Sequence, residues 1–338
     1  MKKMLLKLLA LGVVALGITG CKSEVGVPAT GAATETATEV ATATDGGNST
    51  AADEPAGSAD DKTIIVGVSL LNNAHVFYNN IEAAMSEKAE ELGYQLIIQD
   101  AAGDGNKQLN QVQDFITQKV DAIVICPTNS AGSKSMVELA EAENIPVFTM
   151  DVASDGDVIS HISTDNYRGG ELAAEYVVDH ILENKSGQAV VITYAEIEGC
   201  VDREKGFTEW LGINAPDVDV VDIQNYSGDQ GKAAEVMQNM LLKHENLDVV
   251  FCVGDPAAVG AMSSIDAVGG DVKVIGFDGN PEGIEAILSG GNWVADIAQD
   301  PAQIGKTTLE CIQKYLAGES VEKLIPISPK VIDADNLK

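Results

Sequence analysis

Aromatic residues make up 4% of this 338-residue chain, and its 21 lysines and arginines are outnumbered by 52 acids. The formal charge of −31 repels phosphate backbones, so nucleic acid is not an expected partner. Cysteine is sparse as well. Cys126, Cys200, Cys252 and Cys311 stand in no close C-x-x-C spacing, which argues against a disulfide framework or a zinc knuckle. Cys126 and Cys252 fall inside apolar runs, where a thiol behaves as a small hydrophobe. The four histidines, His75, His161, His180 and His244, show no metal-ligand spacing. There is no nucleophile elbow, Walker loop or H-E-x-x-H, so no nucleophile and base pair points to an enzyme. The segment Asp100 to Gly105 has part of a calcium loop, but Ala102 stands at its third position and Gln111 at its twelfth, where a glutamate is required. No metal and no cofactor are expected.

What is present begins with an address. Lys2, Lys3 and Lys7 precede an apolar run from Leu8 to Leu16, too short for a good spanning helix and typical of a secretory signal peptide, here residues 1–20. Its ending, Leu16-Gly17-Ile18-Thr19-Gly20-Cys21, resembles the lipobox of bacterial lipoproteins. That resemblance implies a lipid on Cys21 and an extracytoplasmic protein anchored to the bacterial cell membrane. Cleavage would remove three lysines and no acids, moving the formal charge from −31 to −34. Residues 21–62 are rich in Ala, Thr, Gly, Glu, Asp and Ser and hold no aromatic. Such a stretch buries too little surface to offset its ordering entropy, and as a flexible tether it has an end-to-end spread of roughly 35 Å.

From Thr63 onward short apolar runs alternate with helical periodicity. Ile64 to Val68 is followed by Ile81, Ala84, Met85, Ala89 and Leu92 on one helical face, stopped by Gly93. Gln95 to Ile98 precedes a helix carrying Leu109, Val112, Phe115 and Ile116, and Ala122 to Cys126 follows. Further strands are expected at Ile145 to Met150, Ala189 to Thr193, Val218 to Ile223, Val249 to Val253, Val272 to Phe277 and Val294 to Ala298. Strands buried on both faces and separated by helices imply doubly wound α/β sheets, mostly parallel. Ligands in such folds bind beyond the carboxyl ends of the strands.

Polar residues recur at those ends: Ser69 to Asn73, Asp151, Asp255, Asp278 and Gln299, with Phe77 and Tyr78 after the first. Carboxylates that accept from neighbouring hydroxyls, amide and guanidinium donors, and a ring for a C–H face together suit a polyhydroxylated ligand. Each Asp or Asn can equally cap the following helix, and Phe77 and Tyr78 can equally be core. Recurrence at several tips favours a site.

The segments Ser69 to Asn73, Cys126 to Ser130, Ile145 to Asp151, Ser163 to Asn166, Arg203 to Phe207, Gly276 to Gly279 and Ile297 to Asp300 resemble the ribose-binding-protein group of type I periplasmic binding proteins, in order from about Lys62 to the C-terminus. The resemblance implies two Rossmann-like lobes joined by a three-strand hinge, with crossings near Asp165-Asn166, Asp300 and Ile327. The first lobe would hold residues 63–165 and 300–327, the second 166–299 and 328–338. It implies ligand contacts from Asn73, Phe77, Tyr78, Asp151, Arg203, Asp278 and Gln299, with His75, Asp255 and Tyr226 as further candidates. A monosaccharide or polyol would be delivered by a monomer to an ABC permease and its ATPase; a sensor presenting a sugar-like signal to a receptor kinase is the alternative. Three positions depart from the ribose binders. Val152 stands for their arginine, Gly228 for a phenylalanine and Gly254 for an asparagine. Tyr226, Trp210 and Trp293 are candidate replacement rings, and Glu196 and Glu198 are acids that could face the cleft.

Overall fold

The computed structural model describes residues 62–182 and 185–337. The expected signal peptide, the Cys21 expected to carry a lipid and the expected tether up to Asp61 lie outside the described residues. Among the described residues are twelve strands and nine α-helices in chain order: β1 (Ile65–Leu70), α1 (Val76–Leu92), β2 (Gln95–Asp100), α2 (Gly105–Gln118), β3 (Ala122–Ile125), α3 (Ser130–Ala142), β4 (Val147–Met150), β5 (Ser160–Thr164), α4 (Asn166–Tyr176), β6 (Gly187–Thr193), α5 (Glu198–Asn214), β7 (Val218–Asn225), α6 (Gln230–Lys243), β8 (Val249–Cys252), α7 (Asp255–Val268), β9 (Lys273–Asp278), α8 (Pro281–Ser289), β10 (Trp293–Ala298), α9 (Pro301–Leu316), β11 (Leu324–Ile327) and β12 (Lys330–Asp333).

They form two six-stranded sheets, ordered β11-β5-β4-β3-β1-β2 and β12-β10-β9-β8-β6-β7. Every neighbouring pair is parallel except β12, which runs antiparallel to β10. The two orders match strand for strand, β1 with β6 through β5 with β10, so each lobe repeats one doubly wound plan.

Period-two alternation explains how the first sheet is covered. Val66, Val68 and Leu70 of β1, with Ala122 and Val124 of β3, join the core formed with α1 and α9. Ile123 and Ile125 of β3 turn to the opposite core with Phe115 of α2 and Val137 of α3. Gly67 leaves room for that ring, since a Cβ there would come within 2.5 Å of Phe115. In the second lobe Phe207 of α5 stacks on Phe251 of β8 at 4.7 Å between ring centroids. Helices end where glycine can adopt φ above zero, as at Gly93 (φ 69°), which follows α1.

The chain passes between the sheets three times: at Asp165 from β5 to α4, at Gln299-Asp300 from β10 to α9, and at Ser328-Pro329 from β11 to β12. Asp165 and Asp300 cap α4 and α9 by accepting from Arg168 N and Gln303 N. Strands β5, β11 and β12 were not among the apolar runs of the sequence. Asp104, within the calcium-like segment, caps α2 through Asn106 N and Lys107 N. No helix among the described residues is long and apolar enough to cross a membrane.

Candidate ligand-binding site

A cavity of about 880 Å³ opens between the carboxyl ends of the two sheets. Two aspartates enter it from equivalent strand tips, Asp151 after β4 and Asp278 at the end of β9. Both hold positive φ, 61° and 122°, a conformation that costs a non-glycine residue energy and is kept where surrounding structure enforces it.

On the first lobe Tyr78 Oη donates to Asp151 Oδ2 at 2.9 Å. Burial pushes the Asp151 carboxyl above the usual carboxylate range, opposed by the Tyr78 hydrogen bond and the Arg203 charge. Phe77 packs edge-on to Tyr78 with centroids 5.3 Å apart. His75 caps α1, its Nδ1 accepting from Phe77 N. All of these side chains line the cavity.

On the second lobe Arg203 is 7% exposed. Its Nε donates to Asn166 Oδ1 at 2.8 Å and one terminal nitrogen to Val253 O at 2.7 Å and Asp278 Oδ1 at 3.2 Å. Its guanidinium carbon lies 3.7 Å over the Phe277 ring. Gln299 Nε2 donates to Asp278 Oδ1 at 2.7 Å, and Gln299 Oε1 accepts from Thr164 Oγ1. A continuous chain therefore links Asn166, Arg203, Asp278, Gln299 and Thr164 across two of the three crossings.

The structure brings together eight of the ten candidates, namely His75, Phe77, Tyr78, Asp151, Arg203, Tyr226, Asp278 and Gln299. Two stand elsewhere. Asn73 is not a lining residue: its Nδ2 donates to Glu82 Oε2 and its backbone N to Asp100 Oδ1, while its neighbour Asn72 lines the cavity. Asp255 is fully buried at the start of α7 and accepts from Asn280 N. The tip rule identifies an acid there but not which way α7 turns it.

The sequence reading missed Tyr194, Thr164 and Asn166 as cleft groups. Tyr194 follows β6 immediately, so the tip rule could have found it. Its ring answers the departure at Gly228, because a Cβ there would lie 3.0 Å from Tyr194. Tyr226 packs against it with centroids 5.5 Å apart. The Tyr226 hydroxyl would lie 3.7 Å from a Cβ on Gly254, beside Asp278 Oδ2 at 3.5 Å, so it occupies the region of the missing amide. Val152 lines the cavity and leaves the position of the missing arginine apolar. Trp293 is buried in the core with Nε1 donating to Ala295 O, and Trp210 packs against the second-lobe core; neither is a lining residue. Glu198 lines the cavity, whereas Glu196 accepts from Asn225 and Ser227. Among the described residues no three His, Cys, Asp or Glu side chains cluster as a metal site, and Cys126, Cys200, Cys252 and Cys311 are free and buried.

The model of the periplasmic binding protein domain matches residues 66–320. The chain belongs to the periplasmic binding protein family. This periplasmic binding protein is 36% identical over 274 residues to the ribose import binding protein of Escherichia coli K12, covering 80% of this chain and 90% of that protein. It is 34% identical over 277 residues to the ribose import binding protein of Bacillus subtilis 168, with coverages of 80% and 88%. Among solved structures, an ABC transporter solute-binding protein of Mycobacterium smegmatis with bound glycerol superposes with a TM-score of 0.74 at 31% identity, covering 81% of this chain and 96% of that one. A solute-binding protein of Bacillus halodurans with bound myo-inositol gives 0.73 at 26% identity, with coverages of 83% and 98%. These are extracytoplasmic transport receptors rather than enzymes, and the two-lobed type I fold is theirs.

Proposed function

We propose that this periplasmic binding protein captures a monosaccharide or polyol between its lobes and hands it to an ABC permease and its ATPase. The observation that carries the reading is the pairing of Asp151 and Asp278 at equivalent tips of two repeated lobes, facing one cleft with aromatic rings on both sides. Each carboxylate accepts from neighbouring hydroxyls, Arg203, Gln299 and Asn166 supply donors, and Phe77 and Tyr194 offer faces to C–H groups. The division of the lobes at 165/166, 299/300 and 327/328, a monomeric state, and anchoring through a lipid on Cys21 complete the proposal. The run from Lys2 to Cys21 supports the anchor.

The test is calorimetric titration and thermal shift of the full chain with D-ribose, D-allose, D-tagatose, L-arabinose, myo-inositol and glycerol. Binding at a hundredfold excess over Kd should stabilise the protein by about 2.7 kcal/mol. Because Val152, Gly228 and Gly254 change three cleft positions, D-ribose should be outbound by another compound of the panel. No response to any sugar or polyol would overturn the ligand class while leaving the fold untouched.

A further inference from the structure

Behind Asp278 lie two carboxyls that do not line the cavity and carry no charge partner of opposite sign in direct contact. Asp255 and Asp296 are both fully buried. Asp255 Oδ2 accepts from Asn280 N at 2.8 Å, and Asp296 Oδ1 accepts from Gly279 N at 3.1 Å. The remaining oxygens, Asp255 Oδ1 and Asp296 Oδ2, have no donor from any other group. They meet at one spot, because a Cβ on Gly283 would lie 3.3 Å from the first and 2.8 Å from the second. Two ionised carboxylates are acceptors only, and burying them face to face without a donor is strongly unfavourable. One proton between them satisfies both orphan atoms at once.

The turn they hold is the one that presents Asp278. Gly279 and Asn280 follow it directly, and Asp255 N also approaches Asp278 Oδ2 at 3.4 Å. Asp278 itself needs the support, with φ at 122°. We propose that Asp255 and Asp296 are a proton-sharing pair of positioning residues that holds the Asp278–Asn280 turn in its ligand-binding shape and makes that shape sensitive to pH. The proposal rests on Asp278 being a ligand group, as argued above.

Burial, first, and the neighbouring carboxyl push Asp255 well above the usual carboxylate range; burial likewise lifts Asp296, to about 7. The groups facing the pair are Asp278 from β9, Arg203 from α5 and Cys252 from β8, while α8 presents Gly283. The proton they share is bound more tightly in the folded chain than in the unfolded one. Its contribution to stability is thus complete below the unfolded carboxylate range and is lost as pH rises through the raised range of the pair, about 7 for Asp296. Loss of the proton sets two like charges together behind a third, Asp278, and loosens the two amides that shape the turn.

The experiment uses the full chain and Asp296→Asn, with Asp255→Asn as a second variant, since an amide supplies the donor that the neutral acid supplied. Nuclear magnetic resonance follows the Gly279 and Asn280 amides between pH 5 and 9 without ligand, and calorimetry follows whichever sugar of the panel binds. The expected result is a joint inflection of both amides near neutral pH in the natural sequence, absent from the variants. Affinity should fall by about tenfold from pH 6 to 9 in the natural sequence, the equivalent of one unit of linked pKa change, and by clearly less in Asp296→Asn. His75, His161 and Asp151 are shared by both proteins, so the difference between the curves belongs to the pair. Amides that stay fixed across the range overturn the proposal, as do identical affinity profiles. If no sugar of the panel binds, the ligand class fails, and the amide titration still decides the pair; if the variants do not fold, the titration of the natural sequence decides it alone.

Discussion

Arg203 shows how one side chain can serve several partners at once. Its planar fork reaches Asn166, Val253 O and Asp278 while stacking on Phe277. Removing it leaves Asp278 a buried charge without its cation, so Arg203→Ala should lose about 3 to 5 kcal/mol in urea unfolding. Lysine keeps the charge but lacks the fork, and Arg203→Lys should recover less than half of that loss. A full recovery would show that charge alone matters. His161 provides a second residue-scale test. Burial lowers its pKa to about 4 from an unfolded value near 6.5, with Nδ1 3.0 Å from Thr149 Oγ1. The unfolded chain binds the proton first as pH falls, so stability should decrease by about 2 to 3 kcal/mol between pH 6.5 and 4. His161→Gln should flatten that limb of a melting-temperature curve. At this scale the sequence revealed types better than directions. Asp151, Asp278 and Arg203 were legible because their segments match a family, whereas Asn73 and Asp255 lie where one residue of turn geometry sends the side chain away from the cleft.

Among the elements, α4 and α5 carry the second-lobe side of the site by crossing unusually closely. A Cβ on Gly170 would fall 2.1 Å from Arg203 O, and one on Gly206 would fall 2.1 Å from Tyr167 O. Both contacts are with backbone, which cannot rotate aside. Gly206→Ala should therefore push the helices apart at a cost of about 1 to 3 kcal/mol and lengthen the Arg203–Asn166 bond, weakening ligand affinity as well as lowering the urea midpoint. Unchanged affinity in a folded variant would break the link between this crossing and the site. Helices α1 and α2 could be read from the sequence by their apolar periodicity, and nine of the strands because burial on both faces demands continuous apolar runs. Strand β5 escaped for a physical reason: Ser160, Ser163 and Thr164 are buried yet polar, since the strand leads into the hydrogen-bonded crossing. Strand β11 carries Pro326 at the sheet edge, where a missing N–H is tolerated, and its exposed Leu324 breaks the core pattern.

For the whole molecule, the repeated lobes and three crossings matter through what they permit. A ligand that touches Asp151 on one lobe and Asp278 on the other gains contacts in a closed arrangement that it cannot make in an open one, so it shifts the population toward closure by its differential affinity alone. Saturating sugar should then reduce the radius of gyration measured by small-angle X-ray scattering. Asp151→Ala separates this mechanism from simple binding to one lobe. It leaves the network of Arg203, Asp278 and Gln299 intact, so residual binding should persist at a Kd raised by about tenfold or more, the loss of one charged hydrogen-bond acceptor. Under those conditions, at sugar concentrations that still saturate the variant, the compaction should shrink or vanish. Equal compaction in both proteins would mean that closure does not depend on bridging through Asp151, and the first-lobe contact would have to be sought at Phe77, Tyr78 or Asn72 instead.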